Sequence, residues 1–272
     1  ISAGIWNTVT RLGQLLTDGV DLIICNLMIN PTAMGQLAIV KTINSVVVLL
    51  LGTVSNVFTP QLTIKYAKDK MGELIENLKS AMKITGVFVN IPFAFIIVFG
   101  QIFYSIWTPT EDSNLLMILT FLTMQSIILA GVITPMYSIY TITNKIKLDA
   151  ICRVGIGVAN VVIVYIFLKI TNLGIYAVAG VSTTISMIFD FIFVPLYCSH
   201  CLKTKYTEFY PTILKYIFTT IILIIILLGV KLIFVPYNWT SLIIAGIITG
   251  IIGVMVNYFI LLNKKEKKMI QD

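Results

Sequence analysis

The residues with the clearest capacity for chemistry lie in the first forty positions, where polar side chains recur at steps of three and four. This stripe consists of Asn7, Arg11, Gln14, Asp18, Asp21 and Cys25. The spacing places them on one face of a helix, in a segment otherwise apolar enough to cross a bilayer. A charged side chain at mid-membrane costs about 2.5–3.5 kcal/mol on insertion scales, whereas a whole protein is stable by only about 5–15 kcal/mol. The stripe is therefore predicted to face a wet cavity or charged partners inside a helix bundle, which favours a transport function.

Two kinds of charge in this stripe suggest two roles. Arg11 stays protonated and its planar guanidinium matches a phosphate, so we predict that it binds a diphosphate headgroup. Asp18 and Asp21 are candidates for proton or sodium coupling, because a carboxylate in a half-wet cavity can change its charge. The alternative is that these three charges only satisfy one another.

Other polar residues inside the predicted spans extend the candidate site. Gln14, Lys41 and Asn56 are predicted to line the substrate cavity, although an isolated amide serves equally well to join two helices. Lys41 and Asp21 reach similar depths on adjacent antiparallel helices, so we predict an outer gate pair, with the alternative that Lys41 extends to the outer headgroups. Asp190 has a depth similar to that of Arg11 and is predicted as an inner gate or coupling residue.

Composition identifies the class of protein. The 272 residues are 58% hydrophobic and only 11% charged, with a mean hydropathy of +0.97, whereas soluble domains carry about 25% charged residues. The chain is therefore predicted to be all-α, a polytopic membrane helix bundle. A net charge of +7 does not indicate nucleic-acid binding, because the basic residues lie between the spans and in the tail.

Apolar runs of about 20 residues define eight predicted transmembrane helices. They cover 5–29, 35–62, 84–106, 115–143, 154–171, 176–199, 216–235 and 239–262. Most of the 19 basic residues fall on one side of these spans, which makes that side and the C-terminus cytoplasmic by the positive-inside rule. The amphipathic segment Tyr66–Lys83 is expected to lie on the inner membrane surface, the alternative being a solvated connector.

Nothing in the sequence points to a cofactor or a metal. Cys198, His200 and Cys201 form a C-x-x-C motif around the single histidine, but a zinc site needs a further pair of ligands. The chain opens directly into an apolar span without Met or a basic leader, so we expect it to be the C-terminal part of a longer protein.

Several weak motifs, in order, resemble a known family. They are Asp21-Leu22-Ile23-Ile24, Met34-Gly35-Gln36-Leu37-Ala38, Pro135-Met136-Tyr137-Ser138-Ile139, Asn144-Lys145, Gly157-Val158-Ala159-Asn160, and Gly174 ahead of Ala177-Val178-Ala179. Over nearly all 272 residues the chain resembles the second lobe of polysaccharide flippases of the O-antigen and teichoic-acid type. These belong to the multidrug/oligosaccharidyl-lipid/polysaccharide exporter superfamily.

The resemblance implies a domain organisation and a function. Residues 1–200 would form the second six-helix lobe and residues 201–272 two additional helices with a basic cytoplasmic tail, the first lobe being absent. The implied activity is flipping of an undecaprenyl-diphosphate-linked oligosaccharide across the bacterial plasma membrane by alternating access. The implied partners are this lipid-linked oligosaccharide and the lipid bilayer, with a polysaccharide polymerase and glycosyltransferases as candidates, and no nucleic acid.

Two other functions stay open. A drug or cation antiporter of the same superfamily would favour acidic and aromatic cavity residues over arginine. A membrane-embedded transferase of lipid-linked glycans would need a catalytic histidine or a carboxylate cluster at a membrane face. His200 lies beside cysteines in a loop, and Glu111 and Asp112 stand alone, so the sequence predicts a transporter and not an enzyme.

Overall fold

The computed structural model describes residues 2–263 and 266–267, apart from the side chains of residues 2, 3 and 18, and within them every regular element is a helix. The helices are α1 Ser2–Asp18, α2 Val20–Met28, α3 Pro31–Ala67, α4 Met71–Trp107, α5 Ser113–Ile142, α6 Ile146–Ile170, α7 Ile175–Leu202, α8 Tyr210–Ile233 and α9 Trp239–Val256, the last continued by a π-helical turn, Asn257–Leu261. In this described part, seven helices, α3 to α9, are long and apolar enough to cross a bilayer. The chain is a multi-pass membrane protein built as a helix bundle.

The first predicted span is interrupted, and its prediction as one continuous helix is wrong. α1 ends at Asp18 and α2 begins at Val20. Gly19 between them keeps near-helical angles (φ −88°, ψ −34°), and its N–H still donates to Leu15 O at 2.9 Å. Glycine is the weakest helix former after proline, which explains why the break falls there.

The segment Tyr66–Lys83 also differs from its prediction. Instead of forming a separate surface helix, residues from Met71 onward are the first turns of α4, which runs without interruption to Trp107. Leu74, Leu78 and Met82 are fully buried in one core cluster with residues of α5, α7 and α8. The amphipathic pattern was read correctly, but its apolar face packs on protein and not on lipid.

Lysines on this extension hold the loops of the same end of the bundle. Lys79 pairs with Glu208 in the α7–α8 connection. Lys83 is buried and pairs with Glu266 of the tail at 2.9 Å, and Ser80 Oγ donates to the same carboxylate. The N-terminal part of α4 therefore anchors two segments that are distant in sequence.

Side-chain caps fix the beginnings of helices at the opposite end. Asn30 Oδ1 accepts from Ala33 N at 2.7 Å ahead of Pro31, and Asp112 Oδ1 accepts from Asn114 N at 2.9 Å. Asn238 and Ser241 form a reciprocal capping box at α9. Each cap satisfies N–H groups that the first helical turn leaves unpaired. From α2 onward the short connections make consecutive helices antiparallel.

Helix α5 lies at the centre of the bundle and packs on α3, α4 and α7, while α8 and α9 pack on α4. Tyr216 of α8 is buried between two glycines, Gly86 of α4 and Gly131 of α5. A Cβ atom on either glycine would come within 2.7 Å of the tyrosine. The two C-terminal helices are therefore joined to the rest of the bundle by an inserted ring.

Helix α1 packs mainly on α6, where the two backbones approach closely. A Cβ on Gly157 would lie 2.7 Å from Leu16 Cβ and 3.0 Å from Gly13 O. A Cβ on Gly13 would lie 2.8 Å from the Arg153 carbonyl carbon. Small residues at a crossing are the usual means by which membrane helices pack closely.

Candidate functional site: a polar cavity among six helices

A cavity of about 640 Å³ lies within the membrane-spanning part of the bundle. Side chains of α1, α2, α3, α5, α6 and α7 form its walls. Its charged lining residues are Asp21, Lys41, Arg153 and Asp190. Amides and hydroxyls supply much of the rest, including Gln14, Asn44, Ser45, Thr123, Ser126 and Ser186. The volume is typical of sites that enclose a small molecule or the headgroup of a larger one.

An ion pair occupies the part of the cavity where α2, α3 and α7 meet. Lys41 Nζ lies 2.8 Å from Asp21 Oδ2, and Ser182 Oγ donates to Asp21 Oδ1 at 2.8 Å. The Asp21 side chain is only 5% exposed, whereas that of Lys41 is 20% exposed and reaches the cavity. The carboxylate is therefore bonded through both oxygens, which offsets the cost of burying it.

A second charged group lies roughly 12 Å further along α7, eight residues after Ser182. Tyr137 Oη donates to Asp190 Oδ1 at 2.8 Å. Arg153 stacks on the Tyr137 ring, its guanidinium carbon 4.4 Å from the ring centre, and its Nε donates to Asp149 Oδ2 at 3.0 Å. The guanidinium is thus held by a carboxylate four residues earlier on the same helix and by an aromatic face.

The structure brings four of the predicted site residues to the cavity. Gln14, Lys41, Asp21 and Asp190 all line it. The approach of Lys41 to Asp21, expected from their depths, is observed.

Two predicted cavity residues lie outside this lining. Arg11 is exposed on α1, because Gly13 faces α6 and a residue two positions away points to nearly the opposite side of the helix. Asn56 is exposed on α3, roughly 16 Å beyond Ser45, the distance of 11 helical residues. The side chain of Asp18 lies outside the described residues.

The polar stripe of the first segment is consequently divided. Asn7, Arg11 and Gln14 are exposed on α1, whereas Asp21 and Cys25 are buried on α2 beyond the break at Gly19. Asp190, predicted at a depth similar to that of Arg11, instead accepts a hydrogen bond from Tyr137, on whose ring Arg153 lies.

Sequence reasoning missed Arg153 because it was counted among the basic residues of a cytoplasmic connection. α6 begins at Ile146, eight residues earlier than predicted, and so carries Arg153 into the bundle. The i, i+4 spacing of Asp149 and Arg153 was the available signal. No sequence signal pointed to Ser182, because a single serine in an apolar helix is common.

Comparison with known proteins supports the membrane class. No protein-family model and no solved structure matches the chain. Over 268 residues the chain is 25% identical to a Bacillus subtilis (strain 168) protein described as "Uncharacterized membrane protein EpsK". The alignment covers 98% of this chain and 53% of the relative, so the chain spans about half the length of the curated relative that it matches.

The charged and hydroxyl side chains of the cavity can bind a polar group. Cys25, Cys198 and Cys201 are free and buried. Among the described residues, no three His, Cys, Asp or Glu side chains are placed to share a metal ion. What the arrangement offers is a pair of cations, a pair of carboxylates and a wall of hydroxyls inside an apolar bundle.

Proposed function

We propose that this chain forms part of a flippase that moves an undecaprenyl-diphosphate-linked oligosaccharide from the cytoplasmic to the outer leaflet for surface polysaccharide synthesis. The observation that carries the proposal is the polar cavity within membrane-spanning helices, with the Arg153 guanidinium on its wall. A lipid-linked sugar needs such a hydrated path, because its headgroup is costly to transfer through hydrocarbon.

Arg153 is the residue best placed to receive a diphosphate. Its side chain is 16% exposed and is already oriented by Asp149 and Tyr137, so little conformational entropy is lost when an anion binds. Lys41 also lines the cavity and can contribute a second cation. Hydroxyls such as Ser45, Ser126 and Ser186 are suited to the sugar hydroxyl groups.

The Asp21–Lys41 pair supports the alternating-access part of the proposal. It joins α2 to α3 at one end of the cavity, and its contact with Ser182 adds α7. Opening at that end requires these contacts to separate, and an anionic headgroup near Lys41 would compete with Asp21. In this mechanism the pair is an outer gate, and Asp190 is the corresponding inner carboxylate.

The same proposal assigns location and partners. The chain would lie in the bacterial plasma membrane with its C-terminus in the cytoplasm, act without catalysing a covalent step, and work beside a polysaccharide polymerase and glycosyltransferases. Residues 1–200 would be a transporter lobe and residues 201–272 an added helix pair and tail. The packing of α8 and α9 on α4 fits that division.

An export assay in cells whose surface polysaccharide depends on this protein tests the proposal. Arg153→Gln removes the cavity cation, and Lys169→Gln is the matched control because Lys169 is an exposed residue of the same helix outside the cavity. At equal protein levels we expect export to fall at least tenfold with Arg153→Gln and to persist with Lys169→Gln. Full export by Arg153→Gln would overturn the proposal.

A cation or drug antiporter is the second candidate, favoured by Asp21, Asp190 and the Phe189 ring in the same cavity. The two functions differ in the sign of the ligand. Binding of a lipophilic cation that is lost with Asp190→Asn and retained with Arg153→Gln would favour the antiporter. Binding of a polyprenyl diphosphate with the reverse dependence favours the flippase.

A further inference from the structure

A second, almost wholly apolar groove of about 320 Å³ opens on the outer surface of α6 and α7. It is lined by Ile156, Ile185, Ile188, Phe189, Ile192 and Phe193. Ile188 and Ile192 are 53% and 51% exposed, so the groove is open in the described part of the chain, and its apolar lining suits contact with lipid chains.

The groove adjoins the polar cavity, because Ile156 and Phe189 line both. Helix α7 separates the two chemistries by face. Ser182, Ser186 and Asp190 recur every four residues on the cavity side, whereas the isoleucines at 185, 188 and 192 face the groove. Phe189 stands at the boundary between them.

A cation lies near this same boundary. The Arg153 guanidinium carbon is 5.8 Å from the Phe189 ring centre, and Arg153 lines the cavity but not the groove. A ligand that spans the junction would therefore meet a positive charge at one end and isoleucine and phenylalanine side chains at the other. Those are the requirements of a molecule with an anionic head and a hydrocarbon tail.

We propose that the α6–α7 groove holds the hydrocarbon chain of the lipid whose anionic headgroup occupies the polar cavity. The inference rests on the proposed function and adds the route of the tail, which leaves the protein between α6 and α7 past Ile156 and Phe189. The tail stays in the hydrocarbon layer while the headgroup crosses through the bundle.

The groove directs the tail more than it increases affinity. Lipid chains are as apolar as isoleucine, so seating a tail there gains van der Waals contact but little hydrophobic free energy. Phe189 and Phe193 stack at 4.6 Å and give the groove a continuous aromatic wall. Filling the groove should therefore slow transfer and redirect the tail while leaving headgroup binding in place.

Photo-crosslinking of the intact protein in phosphatidylcholine nanodiscs tests this route. The probe is a polyprenyl diphosphate with a diazirine in its tail, and the comparison is a phosphatidylcholine with a diazirine in its acyl chain. We expect the diphosphate probe to label Ile188, Ile192 or Phe193, and excess unlabelled polyprenyl diphosphate to suppress that labelling. The phosphatidylcholine probe should instead label exposed apolar residues generally, including Ile243 of α9, which is 61% exposed.

Two variants separate the groove from the function as a whole. Ile188→Trp fills the groove, and Ile243→Trp is the matched control on a lipid-facing surface outside it. We expect Ile188→Trp to reduce diphosphate-probe labelling of the groove and to slow export several-fold, with headgroup binding and the melting temperature unchanged.

The outcomes distinguish the two proposals. Diphosphate-probe labelling that is equal at the groove and at Ile243, or that Ile188→Trp leaves unchanged, overturns the tail route even if export still depends on Arg153. Loss of dependence on Arg153 overturns the flippase itself. Groove labelling by both probes to the same extent shows a general lipid contact and also overturns the tail route.

Discussion

At the scale of single residues, the Asp21–Lys41 pair makes a stability prediction. Lys41→Gln leaves a carboxylate that is 5% exposed without its cation, and breaking one side of a buried pair costs about 3–5 kcal/mol. Because Lys41 is partly exposed, we expect the lower end of this range, seen as a melting temperature several degrees lower in detergent. The double variant Asp21→Asn/Lys41→Gln should recover much of the loss, since the buried charge is gone. If the two single variants lose stability equally and the double variant loses the sum of the two, the side chains are not coupled.

Arg153 supports a second prediction that concerns geometry and not charge. Arg153→Lys keeps the positive charge but loses the Nε bond to Asp149 and the planar stack on Tyr137. We expect affinity for a polyprenyl diphosphate to fall about tenfold, corresponding to about 1.4 kcal/mol for the lost charge-assisted bonds. Lys169→Arg on the same helix is the control and should bind as the native protein does. Unchanged affinity in Arg153→Lys would reduce the role of Arg153 to that of a point charge.

The residue scale also shows what the sequence could predict about the site. The depths of Lys41 and Asp21 were sufficient to predict their approach, because two antiparallel helices joined by a short turn leave few choices. Arg11 was misplaced because a polar stripe gives the relative directions of side chains but not which neighbour the helix packs on. The packing partner of α1 is determined by the close approach of Gly13 and Gly157. No pattern in the sequence indicates that these two glycines meet.

At the scale of helices, the crossing of α1 and α6 gives a prediction with an internal control. Gly157→Ala puts a Cβ 2.7 Å from Leu16 Cβ, and overpacking of this kind costs about 1–3 kcal/mol. Gly155→Ala lies on the same helix with no atom within 4 Å, so only the gain in helix propensity applies. We expect a lower melting temperature and weaker export for Gly157→Ala, and a melting temperature equal or slightly higher for Gly155→Ala. The same response in both variants would mean that the helices are free to separate.

Helix limits were predictable inside the membrane and less so beyond it. Apolar length fixes α5 and α7 within three residues, since the bilayer sets the scale, whereas α8 begins six residues earlier than predicted. It says nothing about the inner extension of α4, where Leu74, Leu78 and Met82 carry an amphipathic pattern that fits a membrane surface or a protein surface equally well. The core formed by α3, α5 and α7 provides the protein surface on which this apolar face packs.

At the scale of the whole molecule, the cavity and the groove are lined by α1, α2, α3, α5, α6 and α7, whereas α8 and α9 pack on α4. Helix α3 is little buried for a helix of 37 residues. Helix α5 lines the cavity and also packs on α8.

The orientation of the bundle in the membrane gives the last prediction. The loops at the α3–α4 and α7–α8 ends carry Lys65, Lys68 and Lys203, whereas the α4–α5 loop carries Glu111 and Asp112, so the lysine-rich end should face the cytoplasm. Thr110→Cys and Thr207→Cys form a matched pair, each an exposed threonine in a loop at one end.

An impermeant thiol reagent applied to intact cells should label Thr110→Cys at once and Thr207→Cys only after the membrane is opened. The native protein is the blank, because Cys25, Cys198 and Cys201 are buried and Cys152 is partly so. A reversed labelling pattern would show that the bundle has the opposite orientation in the membrane. The lining of the cavity would be unchanged, but its Asp21–Lys41 end would face the cytoplasm. The Asp21–Lys41 pair would then be the inner gate of the proposed flippase, and Asp190 would lie at the outer end.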